Sequence, residues 1–219
     1  MVVYYRVRWY GIDEMTPEGI SIAVSEFIQS ITSFDSKYDQ GVDNNFSNFS
    51  PLESLGKAVF FEKANCSGCH VDPLFSPSWG GASANIGLDL IYEDPGVSST
   101  FTQVVTEDGQ LIFVENPLGI INSGQFKIPS LRNIGLTAPY MHDGPFGTLE
   151  EVVEHYNSGI KNHPQLSWHF KSFDQTTGNV QPQRMNLTEL EKEGLVAFLK
   201  TLSGESFRTD EKFSDPFLR

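Results

Sequence analysis

Cys66-Ser67-Gly68-Cys69-His70 is the most chemically specific run in this chain of 219 residues. Two thiols separated by two residues lie on one turn and reach the two vinyl groups of a porphyrin, becoming thioethers. The imidazole that follows the second cysteine then lies under the iron as its proximal ligand, the C-x-x-C-H arrangement of a c-type haem. The sequence holds only these 2 cysteines, so attachment would leave no free thiol. A structural zinc site needs about four ligands, usually with a second Cys/His pair, and the sequence supplies none. A thioredoxin-like redox pair belongs to a βαβ setting, whereas here a helical pattern precedes the motif and loop residues follow it.

The length suits one domain near the upper end of the ~100–200 residue range. The hydrophobic fraction is 39%, and 19 Gly with 12 Pro indicate many loops, so a macrocycle would supply apolar core that side chains do not. Lys and Arg number 15 against 28 Asp and Glu, a net charge of −13. Such a surface repels nucleic acid and anionic membranes and favours a basic protein partner, although solubility alone would also account for it.

No stretch approaches the ~18–20 apolar residues that cross a bilayer. The first nine residues, from Met1 to Trp9, lack the apolar stretch and small-residue cleavage site of a signal peptide. Covalent haem attachment normally takes place outside the cytoplasmic membrane, so a periplasmic or otherwise exported location is expected and sequence is expected to be missing upstream.

Four helices are expected. Thr16 caps the first, with Pro17 at its first position, and Ile20, Ala23, Val24, Phe27, Ile28 and Ile31 form a stripe read as core. Ser50 and Glu53 form a capping box for the second, which carries Leu55, Val59 and Phe60 towards the haem motif. Thr148 and Glu151 open the third, with Gly159 as its stop, and Thr188 and Glu191 open the fourth, ended by Gly204. An Asp108-Gly109 turn between apolar runs from Val104 to Phe113 signals a hairpin. Residues 157–186 form a polar excursion, and His163 and His169 within it receive no role. The tail from Phe207 to Arg219 is expected to pack along the surface.

The run Lys127-Ile128-Pro129-Ser130-Leu131-Arg132-Asn133-Ile134-Gly135-Leu136-Thr137-Ala138-Pro139-Tyr140-Met141-His142-Asp143-Gly144 resembles a signature of the bacterial dihaem cytochrome c peroxidases and the related MauG proteins. Ser33-Phe34-Asp35-Ser36-Lys37-Tyr38-Asp39, Leu55-Gly56-Lys57-Ala58-Val59-Phe60, the segment from Thr148 to Tyr156, and the end of the last helix from Ala197 to Gly204 fit as well. The likeness runs from about residue 16 onward and covers only the family's C-terminal half.

The resemblance implies a mainly α, cytochrome c-like haem domain with long irregular loops and a small β-hairpin. Its expected extent is residues 17–206, between an N-terminal segment 1–16 and a tail 207–219. In the family, one haem in the N-terminal half cleaves hydrogen peroxide and a six-coordinate haem in the C-terminal half relays electrons from a small cytochrome c or copper protein. This chain resembles the relay module, with one covalent haem c; the alternative is a free-standing monohaem electron carrier. The resemblance also implies His70 as proximal ligand, Arg132 as partner of a haem propionate, and His142 near the propionates. Thr137 and Pro139 match positions whose carbonyls help to hold a calcium ion, whose hard character suits oxygen ligands. Dimers are common in the family.

The sixth iron ligand has several candidates. The family's peroxidases place Met, and its MauG type Tyr, fourteen residues after the histidine of His142-Asp143-Gly144, and that count reaches Tyr156. Ordinary class I cytochromes c instead carry a Met shortly before the final helix, where Met185 stands. Met141 and His155 complete the set. Tyr156 is the expected ligand, because Leu149, Val152, Val153 and Tyr156 share one helical face.

Overall fold

Side chains that cap the backbone start every long helix. The computed structural model describes residues 16–77, 84, 86, 126–163, 166–176, 178–204 and 209–211, and the backbone alone of 83, 101–105 and 111–115. The chain divides into two compact units, Met1–Asn48 with Ser203–Arg219, and Phe49–Leu202.

In the first unit, α1 spans Pro17–Ser30; Thr16 Oγ1 accepts from the Gly19 N–H and Pro17 sits where its missing N–H costs nothing. The expected core stripe of α1 is not buried. Ile20, Val24, Phe27 and Ile28 are 43–60% exposed, and Gly19 alone is buried. Helical spacing reveals that a face is apolar, not what covers it. A further helix, α2 (Lys37–Val42), was not expected; its six residues are too few to show a period, but Ser36 and Asp39 cap each other's backbone N–H. The ring of Tyr38 packs on Phe46 at 5.1 Å.

In the second unit, α3 (Pro51–Ala58) starts at the Ser50/Glu53 capping box and runs into one wider turn, Val59–Lys63, in which the Ala64 N–H donates to the Val59 carbonyl at 2.8 Å. α4 (Leu149–Glu154) starts at Thr148/Glu151 and passes into a second such π turn, His155–Gly159. Gly159 is thus the last helical residue, one turn later than a plain α-helical stop. α5 (Glu189–Thr201) starts at Thr188/Glu191 and ends at Leu202, two residues before Gly204. Helices α3 and α5 touch backbone to backbone: a Cβ on Gly56 would strike the Gly194 carbonyl, and one on Gly194 would lie 3.1 Å from the Gly56 nitrogen.

Phe60, Phe75 and Phe198, each no more than 1% exposed, meet edge to face or tilted at 5.1–6.3 Å between centroids and form the aromatic core beside this crossing. The expected hairpin forms from β2 (Phe101–Val105) and β3 (Leu111–Glu115), paired from Phe101 with Glu115 to Val105 with Leu111. Its Asp108-Gly109 turn lies outside the described residues, as do residues 1–15 and 212–219. Two short antiparallel pairs were not foreseen: β1 (Ser83–Ala84) with β4 (Phe126–Lys127), and β5 (Lys171–Phe173) with β6 (Val180–Pro182). Strands of two or three residues are too short for alternation to show. The chain is therefore mainly helical, with small sheets between long irregular segments.

Candidate haem site

The π turn Val59–Lys63 delivers the chain to Asn65, whose left-handed φ of 51° suits an asparagine, and a 3-10 turn Cys66–Gly68 follows. The Cys69 and His70 N–H groups both donate to the Cys66 carbonyl, at 3.2 and 2.9 Å, which winds the motif into one tight coil. No disulfide joins the two cysteines. Burial, with the Cys69 sulfur adjacent, pushes the Cys66 thiol up to about 12, and burial raises Cys69 as well, so both are protonated at neutral pH.

His70 Nδ1 lies 3.1 Å from the Phe75 carbonyl and 3.1 Å from the Pro129 carbonyl. Carbonyls only accept, so Nδ1 carries the proton and Nε2 keeps its lone pair. Burial lowers the imidazole's pKa, partly opposed by those two bonds, and the neutral ring is the ligating form. The segment after β4 grips the loop that supplies the Phe75 carbonyl. Ser130 Oγ donates to Leu74 O at 2.5 Å, Arg132 Nε to Pro73 O at 2.8 Å, and the Leu131 N–H to Phe75 O at 3.1 Å.

Cys66, Cys69 and His70 border one cavity of about 390 Å³ with mainly apolar walls. Leu149, Val152, Val153 and Tyr156 all line it, as one face of α4 and its π extension should. Tyr156 has its phenol raised well above the usual range, by burial first and then by the neighbouring thiols Cys66 and Cys69. Its hydroxyl makes no hydrogen bond among the described residues. Met185 and Met141 line the same cavity. His155 does not; it is buried, with Nε2 donating to the Ile86 carbonyl at 2.9 Å.

His142 reaches the cavity wall, stacked on Phe126 at 3.7 Å. Arg132 is not part of that wall; its guanidinium holds the Pro73 carbonyl and lies 5.8 Å from the Phe75 ring. Thr137 and Pro139 lie exposed after the 3-10 turn Ile134–Leu136, and no cluster of three or more His, Cys, Asp or Glu that could hold a metal ion occurs among the described residues. Among the residues in the wall that had no role in the sequence are His169 and Phe170. A polar segment without a period gives no sign of which side chains turn inward.

The fit to a c-type haem rests on this geometry: two thiols on one coil, an imidazole with its distal nitrogen available, and an apolar cavity shared by all three. No family model matches the chain. It is 31% identical over 207 residues to a cytochrome c551 peroxidase of Nitrosomonas europaea, covering 92% of this chain and 50% of that protein. It is 28% identical over 186 residues to the methylamine utilization protein MauG of Methylorubrum extorquens, covering 85% and 44%. The crystal structure of a MauG-like protein associated with microbial copper homeostasis superposes with a TM-score of 0.64 at 31% identity, over 93% of this chain and 62% of that one. The chain spans about half the length of the curated relatives it matches, and it belongs to the family of the cytochrome c peroxidases and MauG proteins.

Proposed function

We propose that this chain is the c-type haem electron-transfer module of a peroxidase or MauG-like oxidoreductase. Cys66 and Cys69 would hold one haem c, and His70 Nε2 and Tyr156 are the groups that would ligate its iron. The observation that carries the reading is the pairing of His70 Nδ1 with the Phe75 and Pro129 carbonyls, which reserves Nε2 for a metal. The Tyr156 hydroxyl, which bonds no partner among the described residues, supports the sixth-ligand assignment, since a tyrosine kept only for packing normally bonds a carbonyl. Bound there, haem supplies a one-electron couple, and the chain's own groups fix its ligands and exclude water.

The donor is proposed to be a small cytochrome c or copper protein, basic enough to be drawn by the charge of −13. Hydrogen peroxide is proposed to react at a different haem, as the family's longer members imply. His142 is proposed to sit near the propionates and Thr137 and Pro139 to offer carbonyls to calcium, with the whole exported to the periplasm and a homodimer as its assembly. Arg132, which also holds the Pro73 carbonyl of the proximal loop, is proposed to partner a haem propionate. No helix among the described residues is long and apolar enough to cross a membrane.

The rival is a free-standing monohaem carrier, favoured by the single C-x-x-C-H motif in the sequence. A haem stain and intact mass of the native protein separate the two. A longer product with two haems supports the oxidoreductase module, and a 24.5 kDa product with one haem supports the carrier.

A further inference from the structure

Two residues left unused by the haem-binding reading meet at the rim of the cavity. Trp168 opens a 3-10 turn, Trp168–Phe170, and is 74% exposed. Its indole stacks on the His169 imidazole, 3.6 Å between centroids with the planes 29° apart. His169 is itself exposed, yet it lines the cavity that holds Cys66, Cys69 and His70. Phe170 lines it too and lies 5.8 Å from the Tyr156 ring. Ring thus follows ring from solvent to the cofactor space. Backbone bonds hold the turn in place: the Phe170 N–H donates to Ser167 O at 2.9 Å, and the Gln183 N–H to Phe170 O at 2.7 Å.

An indole left in water gains nothing for folding, because its apolar area stays hydrated. Exposed tryptophan is instead the side chain that anchors partner contacts. Electron exchange also needs the shortest bridge through matter between two cofactors, and stacked aromatic rings provide one.

We propose that Trp168 and His169 form the electron port of this chain. A reduced basic cytochrome c, drawn by the net charge of −13, docks on the Trp168 indole and would pass one electron through the indole–imidazole stack to a ferric haem held in the cavity. The donor metal is oxidised by one, the iron is reduced by one, and neither ring gains or loses a bond or a proton. The proposal rests on the electron-transfer reading above and deepens it by naming where the electron enters.

The test uses the haem-loaded full chain. Reduction by a reduced basic cytochrome c, followed by stopped-flow absorbance, should slow about tenfold in Trp168→Ala, the loss expected of an anchoring tryptophan. Trp168→Phe should keep most of the rate. Reduction by dithionite, a small reagent that needs no docking, and the midpoint potential should match wild type in both variants. Near-ultraviolet circular dichroism reads the stack itself, and His169→Leu should remove the same indole band as Trp168→Phe. A wild-type rate in Trp168→Ala, equal slowing with dithionite, or an indole band indifferent to His169→Leu overturns the port. If wild type accepts electrons from dithionite but none from the cytochrome, the electron-transfer reading itself fails and the port goes with it.

Discussion

The Met185 N–H donates to the Asn157 carbonyl at 3.1 Å, one residue beyond Tyr156. The two rival sixth ligands therefore hang from one hydrogen-bonded wall, which Leu187 N–H extends by donating to Asn157 Oδ1 at 2.8 Å. Both side chains line the cavity, so sequence position alone does not choose between them. Ligand chemistry does. A thioether raises haem potential, whereas an anionic phenolate favours ferric iron and lowers it. Tyr156→Phe should abolish the six-coordinate ferric spectrum and raise the potential, and Met185→Leu should leave both close to wild type. Loss of the six-coordinate signal in Met185→Leu alone would reverse the assignment.

His70→Ala should eliminate the low-spin spectrum while haem stays attached through Cys66 and Cys69. Purified as it stands, the 219-residue chain should also turn over hydrogen peroxide very poorly, because the proposed ligands His70 and Tyr156 would leave no open iron face. A steady-state peroxidase assay with a dye or cytochrome substrate checks this; efficient turnover would show that one ligand leaves readily.

Gly56→Ala should destabilise the haem unit more than an ordinary helix substitution, because the new methyl meets the Gly194 carbonyl and backbone cannot step aside. Overpacking of this kind costs about 1–3 kcal/mol, a fall of roughly 3–10 °C in Tm for a protein of this size. Gly194→Ala, with its nearest atoms at 3.1 Å, should cost less. Calorimetry on the two variants side by side measures the order.

Glu191 joins the Lys63 ammonium at 2.6 Å and caps Thr188, and the Lys63 hydrogen bond is the leading reason its carboxyl titrates below the ordinary value. A carboxyl lowered in the folded state contributes stability above its unfolded value of about 4.3, and that contribution is lost as pH falls through the lowered value. Glu191→Gln should thus melt earlier than wild type at pH 7, with the gap narrowing towards pH 3. Thermal melts across that window give the answer, and a gap that widens with acid would contradict the sign.

Electron delivery from a basic cytochrome c should slow as salt rises, since screening shortens the reach of the −13 charge to ~8 Å at physiological ionic strength. Stopped-flow rates over a salt series test it; a flat profile would leave the charge to solubility.

What the sequence disclosed was local. Ser50, Thr148 and Thr188 each pair with a glutamate three residues on, and all three boxes form as read. The face carrying Leu149, Val152, Val153 and Tyr156 also points into one space as helical periodicity requires. What it hid was tertiary. Gly56 and Gly194 look like weak spots in helices until their backbones are found in contact. The α1 stripe reads as core by period but is half exposed, and Trp168 and His169 lie in a segment with no period at all. Arg132 reads as a guanidinium for an anion, and the structure gives it a further task, holding the Pro73 carbonyl of the neighbouring loop.

The wide turn His155–Gly159 makes the cavity wall sensitive to residue count. A turn closed from i to i+5 contains one residue more than an α turn, so deleting Ser158 would tighten it to ordinary α pitch. Tyr156 and Asn157, both before the deletion, would stay in place, because a π turn holds its extra residue as a local bulge. The Arg184 guanidinium, which donates to the Ser158 carbonyl, would lose that partner, and the segment that carries Met185 would keep only its clasp to Asn157. One missing residue would thus loosen the Met185 side of the cavity wall while leaving Tyr156 where it is.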